Sequence, residues 1–189
     1  ENENPRHQCG MGHEDFHFLD SLLCASVASY GGRKEIFTPD IVHCQDASTA
    51  MTPAFIELLR PDLFRDTKSV VTIHNAGAAY HHDFYNIDEA FHYTGLPWNW
   101  LENSLNEGRV EPFLIAAQFS HLTTVSTFYA EEITNPSYSA STDGLSKIFS
   151  MKNIKVEGIT NGIEYSMYEP ENIESSLLPY AMNPCEKDF

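Results

Sequence analysis

The dominant pattern in this sequence is a series of short apolar runs, rich in β-branched residues, that alternate with segments of helical spacing. Residues 68–74 (KSVVTIH) form an apolar run without polar alternation, which is typical of a strand covered by helices on both faces. Further strands are predicted at residues 39–43, 121–126 and 155–159. Strands that alternate with helices predict an α/β fold, namely a Rossmann-like parallel sheet flanked by helices.

The helical segments are marked by apolar residues that recur three and four positions apart. The longest extends from His13 to Tyr30, and Phe16, Leu19 and Leu23 lie on its predicted apolar face. Two consecutive glycines follow this helix and end it. Three shorter helices are predicted at residues 54–59, 112–119 and 128–133.

Three further segments have no such periodicity. Residues 1–12 are polar and are predicted to form a loop or ragged end. Residues 80–100 are too polar for a core and too aromatic for a plain linker, so they are predicted to line or cover a site. The pair Asp143-Gly144 predicts a turn.

Charge and cysteine content narrow the possible function classes. The 189 residues include 27 acidic and 11 basic side chains, and the formal net charge of −16 repels phosphate backbones and anionic lipid headgroups. Nucleic acid and membranes are therefore not expected partners, and no apolar run approaches the ~20 residues that span a bilayer. Four widely spaced cysteines indicate reduced thiols and a cytoplasmic location.

Polar residues follow the predicted strands at their carboxyl ends. They lie at residues 43–46, His74-Asn75, Ser126-Thr127 and Asn161-Gly162. Because the carboxyl ends of parallel strands meet at one edge, where such sheets bind ligands, these residues are expected to share one rim. For a single position such as Asp46, a helix cap or a turn remains the alternative explanation.

Four of these segments form an ordered set of motifs. They are residues 39–46 (PDIVHCQD), 71–75 (VTIHN), 124–133 (TVSTFYAEEI) and 159–164 (ITNGIE). The set resembles the bacterial glycogen synthases and plant starch synthases, in which the corresponding segments read roughly PDVVHxHDW, TxHN, TTVSPTYAxEI and LNGID. The resemblance covers about residues 13–170, and the agreement in order and spacing makes it far more specific than any single motif.

The resemblance implies a GT-B fold, in which two Rossmann-like domains face each other across a cleft. It also implies retaining transfer of glucose from ADP-glucose or UDP-glucose to the non-reducing end of an α-1,4-glucan acceptor, without a metal ion or another cofactor. By position in the motifs, His74 is expected to contact the donor sugar, and Asp46 to support the same site as the second catalytic residue. The expected substrate-binding residues of the rim are Asn75, Asn161 and His43.

The same resemblance divides the chain into segments. Residues 13–170 correspond to part of the N-terminal, acceptor-side domain, and residues 171–189 to the passage toward a missing C-terminal domain. The family's glycine-rich KxGGL loop has no counterpart here, so the fragment alone is expected to be inactive. Without the strands that normally flank it, the segment at Ile41 is expected to leave an open sheet edge.

Several positions depart from the family pattern. Gln45 replaces a histidine, Ala47 and Ser48 replace a tryptophan and a histidine, and Ile115 stands where the family usually has a lysine. Loss of the tryptophan is expected to remove an aromatic platform from the cleft. These departures favour a second hypothesis, a non-catalytic glucan-binding or scaffolding module that keeps the fold. A sugar-nucleotide enzyme outside the family is a weaker alternative.

Other histidines, aromatic residues and acids allow competing interpretations. His7, His13 and His17 could form a metal cluster, but a solvated first turn of the helix explains them more simply. Residues 81–83 (HHD) are interpreted as a mobile loop near the cleft, and Trp98 and Trp100 suit glucan stacking and buried packing equally well. A glycosidase pair is a weak hypothesis for the acids Glu107, Glu111, Glu131 and Glu132.

Overall fold

The computed structural model of the chain describes residues 7–8, 12–31 and 37–162. Its strands are β1 (His7–Gln8), β2 (Gly12–His13), β3 (Ile41–Gln45), β4 (Lys68–Ile73), β5 (Leu105–Asn106), β6 (Arg109–Val110), β7 (His121–Thr124) and β8 (Val156–Gly158). Its α-helices are α1 (Phe16–Gly31), α2 (Asp46–Ala50), α3 (Thr52–Leu59), α4 (Ile87–Thr94), α5 (Trp98–Glu102), α6 (Pro112–Ala116), α7 (Thr127–Glu132) and α8 (Leu145–Met151).

The central sheet has the parallel α/β architecture that the sequence predicts. Its strand order is β3-β4-β7-β8, and all three strand pairs are parallel. The register places His43 beside Val70 and Val70 beside His121, so the carboxyl ends of the strands meet at one edge, termed the rim. Within the described residues, β3 is an end strand and Ile41 is 61 % exposed, as expected for an open edge.

One face of the sheet is packed against helices and is termed the covered face. Its strand side chains are buried and apolar: Cys44, Val71, Ile73 and Leu122. The helices α2, α6 and α8 contribute to the same apolar cluster, with large phenylalanines beside small alanines. Burial of one side chain such as Ile73 stabilises the fold by about 1.5–3 kcal/mol.

The opposite face, termed the open face, has polar side chains at its centre: His43, Gln45, Thr72 and Thr123. None of them belongs to an apolar cluster of the described residues. The polar centre of this face differs from the continuous apolar packing that the sequence predicts for a strand covered on both sides. The sequence was misleading because Val70 and Thr72 continue the β-branched run of β4 on the open face.

Helix α1 packs through a face that the sequence analysis did not predict. The leucines of the predicted apolar face are exposed, Leu19 by 38 % and Leu23 by 46 %. The buried residues are the small ones, Ser21, Cys24 and Ala28, which recur at helical spacing. Small side chains allow close approach, so α1 contacts α3 along this stripe. Side-chain size thus decided the packing face, where hydrophobicity alone favoured the leucines.

The segment at residues 80–100 is largely helical. Helix α4 begins after Asn86, whose side-chain oxygen accepts a hydrogen bond from the backbone N–H of Glu89 at 2.9 Å, and it ends at Gly95 with φ of 63°. These three residues are ordinary start and stop signals of a helix, and the sequence analysis overlooked them. In α5, Trp100 packs against the apolar core, whereas Trp98 is 45 % exposed.

Smaller elements account for most of the remaining differences from the sequence analysis. Where a loop was expected up to residue 12, β1 and β2 form a two-residue antiparallel pair. The predicted turn at Asp143-Gly144 is confirmed by positive φ angles of 45° and 86°, and it leads into α8, which was not predicted. The end of the predicted domain and the passage at residues 171–189 lie outside the described residues. No helix in the described ranges is long and apolar enough to cross a bilayer.

Candidate active site

The rim brings together the two residues that the sequence analysis names as catalytic. The backbone N–H of His74, directly after β4, donates a hydrogen bond to Oδ1 of Asp46 at 2.8 Å. Asp46 follows β3 and has φ of 55°, a left-handed conformation that costs about 1–3 kcal/mol for a residue other than glycine. Its carboxylate therefore ties the turn after β3 to the first residue after β4.

The imidazole of His74 is held by the end of the neighbouring strand. Its Nε2 atom lies 2.7 Å from Oε1 of Gln45. Because an amide oxygen only accepts hydrogen bonds, Nε2 carries the proton, and Nδ1 is the acceptor of the neutral ring. Gln45, one of the departures from the family motif, thus sets both the orientation and the tautomer of His74.

A chain of hydrogen bonds crosses the open face beside His74. Nε2 of His43 lies 2.7 Å from Oγ1 of Thr72, and this hydroxyl lies 2.7 Å from Oγ1 of Thr123. Each hydroxyl can donate one hydrogen bond and accept others, so the chain connects β3, β4 and β7. Such a surface offers both donors and acceptors to a polar ligand.

A cavity of about 220 Å³ lies where the open face meets the rim. His43, Gln45, His74 and Asn161 are among its lining residues. Asn75, the remaining predicted substrate-binding residue, does not line it: its Oδ1 accepts a hydrogen bond from the backbone N–H two residues later at 2.8 Å. The structure therefore gathers His43, His74 and Asn161 around one space, while Asn75 shapes the adjacent loop.

A second, larger cavity of about 820 Å³ lies at the opposite edge of the sheet. Lys68 and His121, at the starts of β4 and β7, are among its lining residues. None of the five predicted site residues lines it. Because ligands of parallel α/β sheets bind at the carboxyl ends of the strands, the smaller cavity at the rim is the better candidate for the active site.

Two of the departures from the family motif turn out to be core positions. Ala47 is 1 % exposed and Ile115 is 0 % exposed, and each belongs to an apolar cluster. Neither side chain can contact a ligand in the rim cavity. The expectation that loss of the family's tryptophan removes an aromatic platform from the cleft stays a prediction.

The loop after β4 is fixed by a set of buried groups that the sequence analysis missed. The N–H of Ala76 donates to Oη of Tyr129 at 2.7 Å, and the Ala76 carbonyl accepts from Nε2 of His81 at 2.8 Å. Nδ1 of His81 lies 2.6 Å from Oε2 of Glu111, and both of these side chains are 1 % exposed. Residues 81–83 lie in a loop, as predicted, and these contacts tie His81 to the surrounding structure.

The buried pair has perturbed protonation equilibria. Burial lowers the pKa of His81, but the hydrogen bond and charge of Glu111 outweigh it and raise that pKa to about 9. Burial raises the pKa of Glu111, and the hydrogen bond from His81 partly counteracts this change. A glycosidase role for Glu111 gains no support, since its carboxylate has no access to solvent.

Neighbouring histidines and acids fix the same region to α1 and β6. Nδ1 of His82 lies 2.7 Å from Oδ2 of Asp20, and this hydrogen bond raises the pKa of His82. Asp83 accepts a hydrogen bond from Arg109 at 2.6 Å, and Nε2 of His17 lies 3.1 Å from the carbonyl of Asp83. Among the described residues, no group of three or more His, Cys, Asp or Glu is arranged to hold a metal ion.

Comparison with known proteins identifies the family of this chain. The starch synthase catalytic domain profile matches residues 7–148. The chain belongs to this family. Two of its relatives are glycogen synthases: that of Treponema denticola is 34 % identical over 165 residues, covering 85 % of this chain and 32 % of that protein. That of Trichodesmium erythraeum is 33 % identical over 190 residues, covering 97 % and 35 %.

A solved structure of the starch synthase family has the same fold. The catalytic domain of starch synthase IV from Arabidopsis thaliana, bound to ADP and acarbose, superposes with a TM-score of 0.67 and 27 % sequence identity. The match covers 84 % of this chain and 32 % of that chain. The predicted family and the predicted α/β fold, part of a GT-B catalytic domain, are confirmed. This chain spans about a third of the length of these relatives.

Proposed function

We propose that this chain is part of a retaining glucosyltransferase that moves glucose from a nucleoside-diphosphate glucose to the non-reducing end of an α-1,4-glucan. Membership of the starch synthase family supports the reaction class, and the neighbour bound to ADP and acarbose supports a nucleotide and an oligosaccharide as ligands. The rim cavity is the observation on which the proposal rests, because His43, His74 and Asn161 line it at the ligand-binding edge of the sheet.

The proposed reaction exchanges one bond at C1 of glucose for another. The bond from C1 to the diphosphate breaks and its electron pair leaves with the nucleoside diphosphate, a bond from the acceptor 4-hydroxyl oxygen to C1 forms, and the hydroxyl proton passes to the departing diphosphate. Negative charge grows on the departing diphosphate, so hydrogen-bond donors in the cleft stabilise the transition state more than the ground state. Metal ions and other cofactors are not part of this proposal.

Each rim residue has a distinct proposed role. His74 hydrogen-bonds to the donor sugar, and Asp46 holds the His74 backbone through the hydrogen bond at 2.8 Å. His43 and Asn161 bind sugar hydroxyls in the cavity. Asn75 acts on substrate only through the loop that it shapes. We propose that a second domain supplies the groups that bind the nucleotide, so residues 1–189 alone are expected to be inactive.

The test uses the full-length protein with ADP-glucose and with UDP-glucose, each with a maltooligosaccharide acceptor. Wild type is expected to use at least one donor, and His74→Ala to lower kcat by about 100-fold or more. His121→Ala is the matched control, because His121 lies on the same sheet at the opposite end and forms an ion pair with Glu157. Near-normal turnover of His74→Ala would refute the assigned site.

A negative result in this assay also distinguishes the second hypothesis. If the wild-type protein uses neither donor but binds maltooligosaccharides, the result would refute the enzyme and favour a glucan-binding module. Wild type that neither reacts nor binds would refute both hypotheses. Ala47 and Ile115, the departures that favoured the binding module, are core positions here and do not support it.

We also propose a cytoplasmic location. Cys24 and Cys44 are buried free thiols, and burial raises the pKa of Cys24 to about 12, so these thiols are poor candidates for oxidation. Cell fractionation with an antibody against the protein tests this location, and recovery in an extracellular fraction would overturn it.

A further inference from the structure

The segment after β4 is held at both of its ends by groups from distant parts of the chain. At its start, the N–H of His74 is bonded to Asp46. At its end, both backbone polar groups of Ala76 are bonded to side chains, one from Tyr129 on α7 and one from His81. Ala76 itself is fully buried. The position of the short segment 74–76 therefore depends on these contacts rather than on the sheet alone.

The contact from His81 requires a particular proton arrangement. A carbonyl only accepts, so Nε2 of His81 must carry a proton in order to bond to Ala76. Glu111, at 2.6 Å from Nδ1, orients the ring and is itself fixed by the backbone N–H of Phe113 at 3.2 Å. A buried pair of this kind contributes little net stability, because desolvation of the two charges offsets their attraction. What the pair does provide is a fixed position for the Ala76 carbonyl.

We propose that His81 and Glu111 are positioning residues for the glucosyl-transfer site: together they hold the Ala76 carbonyl and so keep His74 in place at the rim. This inference rests on the proposed function of the rim cavity, but the contacts that define it do not. His81 and Glu111 touch no substrate, since both side chains are buried. They act through the backbone of residues 74–76.

The decisive variant removes the pair without leaving a buried charge. The double variant His81→Phe/Glu111→Leu replaces both side chains by apolar groups, and its cost in stability is that of the Ala76 carbonyl and the Phe113 N–H left unpaired, about 1–3 kcal/mol each. We expect the full-length protein to fold with kcat lowered by about tenfold to 100-fold and KM changed by less than about threefold, because misplacement of a catalytic group slows chemistry. Unchanged kcat in a folded double variant would overturn the proposal.

A conservative variant and a neighbouring pair are the controls. Glu111→Gln can donate its amide to Nδ1 and leave the Nε2 proton for Ala76, so it is expected to keep kcat within about threefold of wild type. His82→Asn removes the adjacent pair with Asp20, neither of which is hydrogen-bonded to residues 74–76, and Asn tolerates the φ of 52° at that position. A loss of kcat as large in His82→Asn as in the double variant would contradict a specific role for His81.

Hydrogen exchange provides a readout that does not depend on activity. In the double variant, amides of a peptide covering residues 74–80 are expected to exchange about tenfold faster, while those of β4 keep their protection. Tyr129→Phe removes the other contact to Ala76 and is expected to have the same local effect. It replaces the double variant in this measurement if the double variant does not fold. Equal loss of protection in β4, or no change at residues 74–80, would refute positioning. If wild type uses neither sugar donor, the proposed function fails. Hydrogen exchange then still tests whether His81 and Glu111 hold residues 74–76 in place.

Discussion

The covered and open faces of the sheet differ in what their side chains contribute. On the covered face, Val71 and Ile73 are fully buried in an apolar cluster and stabilise the fold. On the open face, the neighbouring residue Thr72 links His43 to Thr123 by hydrogen bonds at the edge of the rim cavity. Alternate residues of one strand therefore contribute to the apolar core and to the proposed ligand-binding surface.

The largest effect on the free energy of unfolding is expected from shortening a side chain on the covered face, compared with the same change at its neighbour on the open face. Ile73→Ala removes a fully buried side chain from the covered face and is expected to lower the free energy of unfolding by about 4 kcal/mol. Thr72→Ala, one residue earlier on the open face, should cost only about 1 kcal/mol. Urea unfolding of the two variants measures this difference. Equal decreases in the free energy of unfolding would show that the two faces contribute equally to stability.

The junction between β8 and α7 is the next most sensitive point. A Cβ atom on Gly158 would lie 2.4 Å from Cα of Thr127 and 2.5 Å from the carbonyl oxygen of Ser126, and these backbone atoms cannot move aside as a side chain could. Gly158→Ala is therefore expected to lower the free energy of unfolding by about 3 kcal/mol. Gly162→Ala, whose added Cβ would meet no atom of the described residues within 4 Å, is the control and should unfold like wild type. A small loss in Gly158→Ala would mean that the junction relaxes readily.

A moderate effect is expected from pH, through the buried pair that supports the rim. The pKa of His81 rises from its ordinary 6.5 to about 9 on folding, so the native protein binds more protons than the unfolded chain between these values. The free energy of unfolding should therefore fall as pH rises from 7 to 9, by on the order of 2 kcal/mol. The negative charge of Asp83 acts in the same direction as that of Glu111.

The double variant His81→Phe/Glu111→Leu is the control for this pH dependence. It lacks the titrating imidazole, so most of the loss of stability between pH 7 and pH 9 should disappear. Chemical unfolding at both pH values, on wild type and on the double variant, gives the comparison. A pH dependence that persists unchanged in the double variant would assign it to other groups.

The smallest effect is expected on the leucine side of α1. Leu23→Ser replaces a side chain that is 46 % exposed and should change the free energy of unfolding of the 189-residue chain by no more than about 0.5 kcal/mol. Ala28→Leu on the buried stripe should cost about 1–3 kcal/mol, because a larger side chain would push α1 away from α3. Thermal unfolding of both variants tests this ranking. The opposite order would indicate that α1 packs through the leucine face that the sequence predicts.

The sequence was informative where a single residue type determines local structure. The β-branched runs located all four strands of the central sheet, and the polar residues after them located the rim. Helix α4 could have been found as well, from Asn86, Glu89 and Gly95. The aromatic residues of this segment instead predicted that it lines or covers a ligand-binding site.

The sequence was uninformative where function depends on contacts between distant residues. His81 and Glu111 are 30 positions apart and share no motif, so only the fold reveals that they form a pair. The exposed leucines of α1 show a related limit, because helical periodicity gives two candidate faces and tertiary packing selects between them. Burial of Ala47 and Ile115 likewise depends on packing, which a motif comparison does not contain.

The left-handed backbone at Asp46 has a consequence for laboratory evolution of this protein. Glycine adopts φ of 55° without steric strain, so in Asp46→Gly the relief of about 1–3 kcal/mol of backbone strain offsets the lost hydrogen bond to the His74 backbone, and heat resistance is expected to change little. The same change removes the carboxylate that holds His74. Screens that score only heat resistance would therefore retain a change that we expect to lower turnover, and screens of this protein should score turnover and heat resistance together.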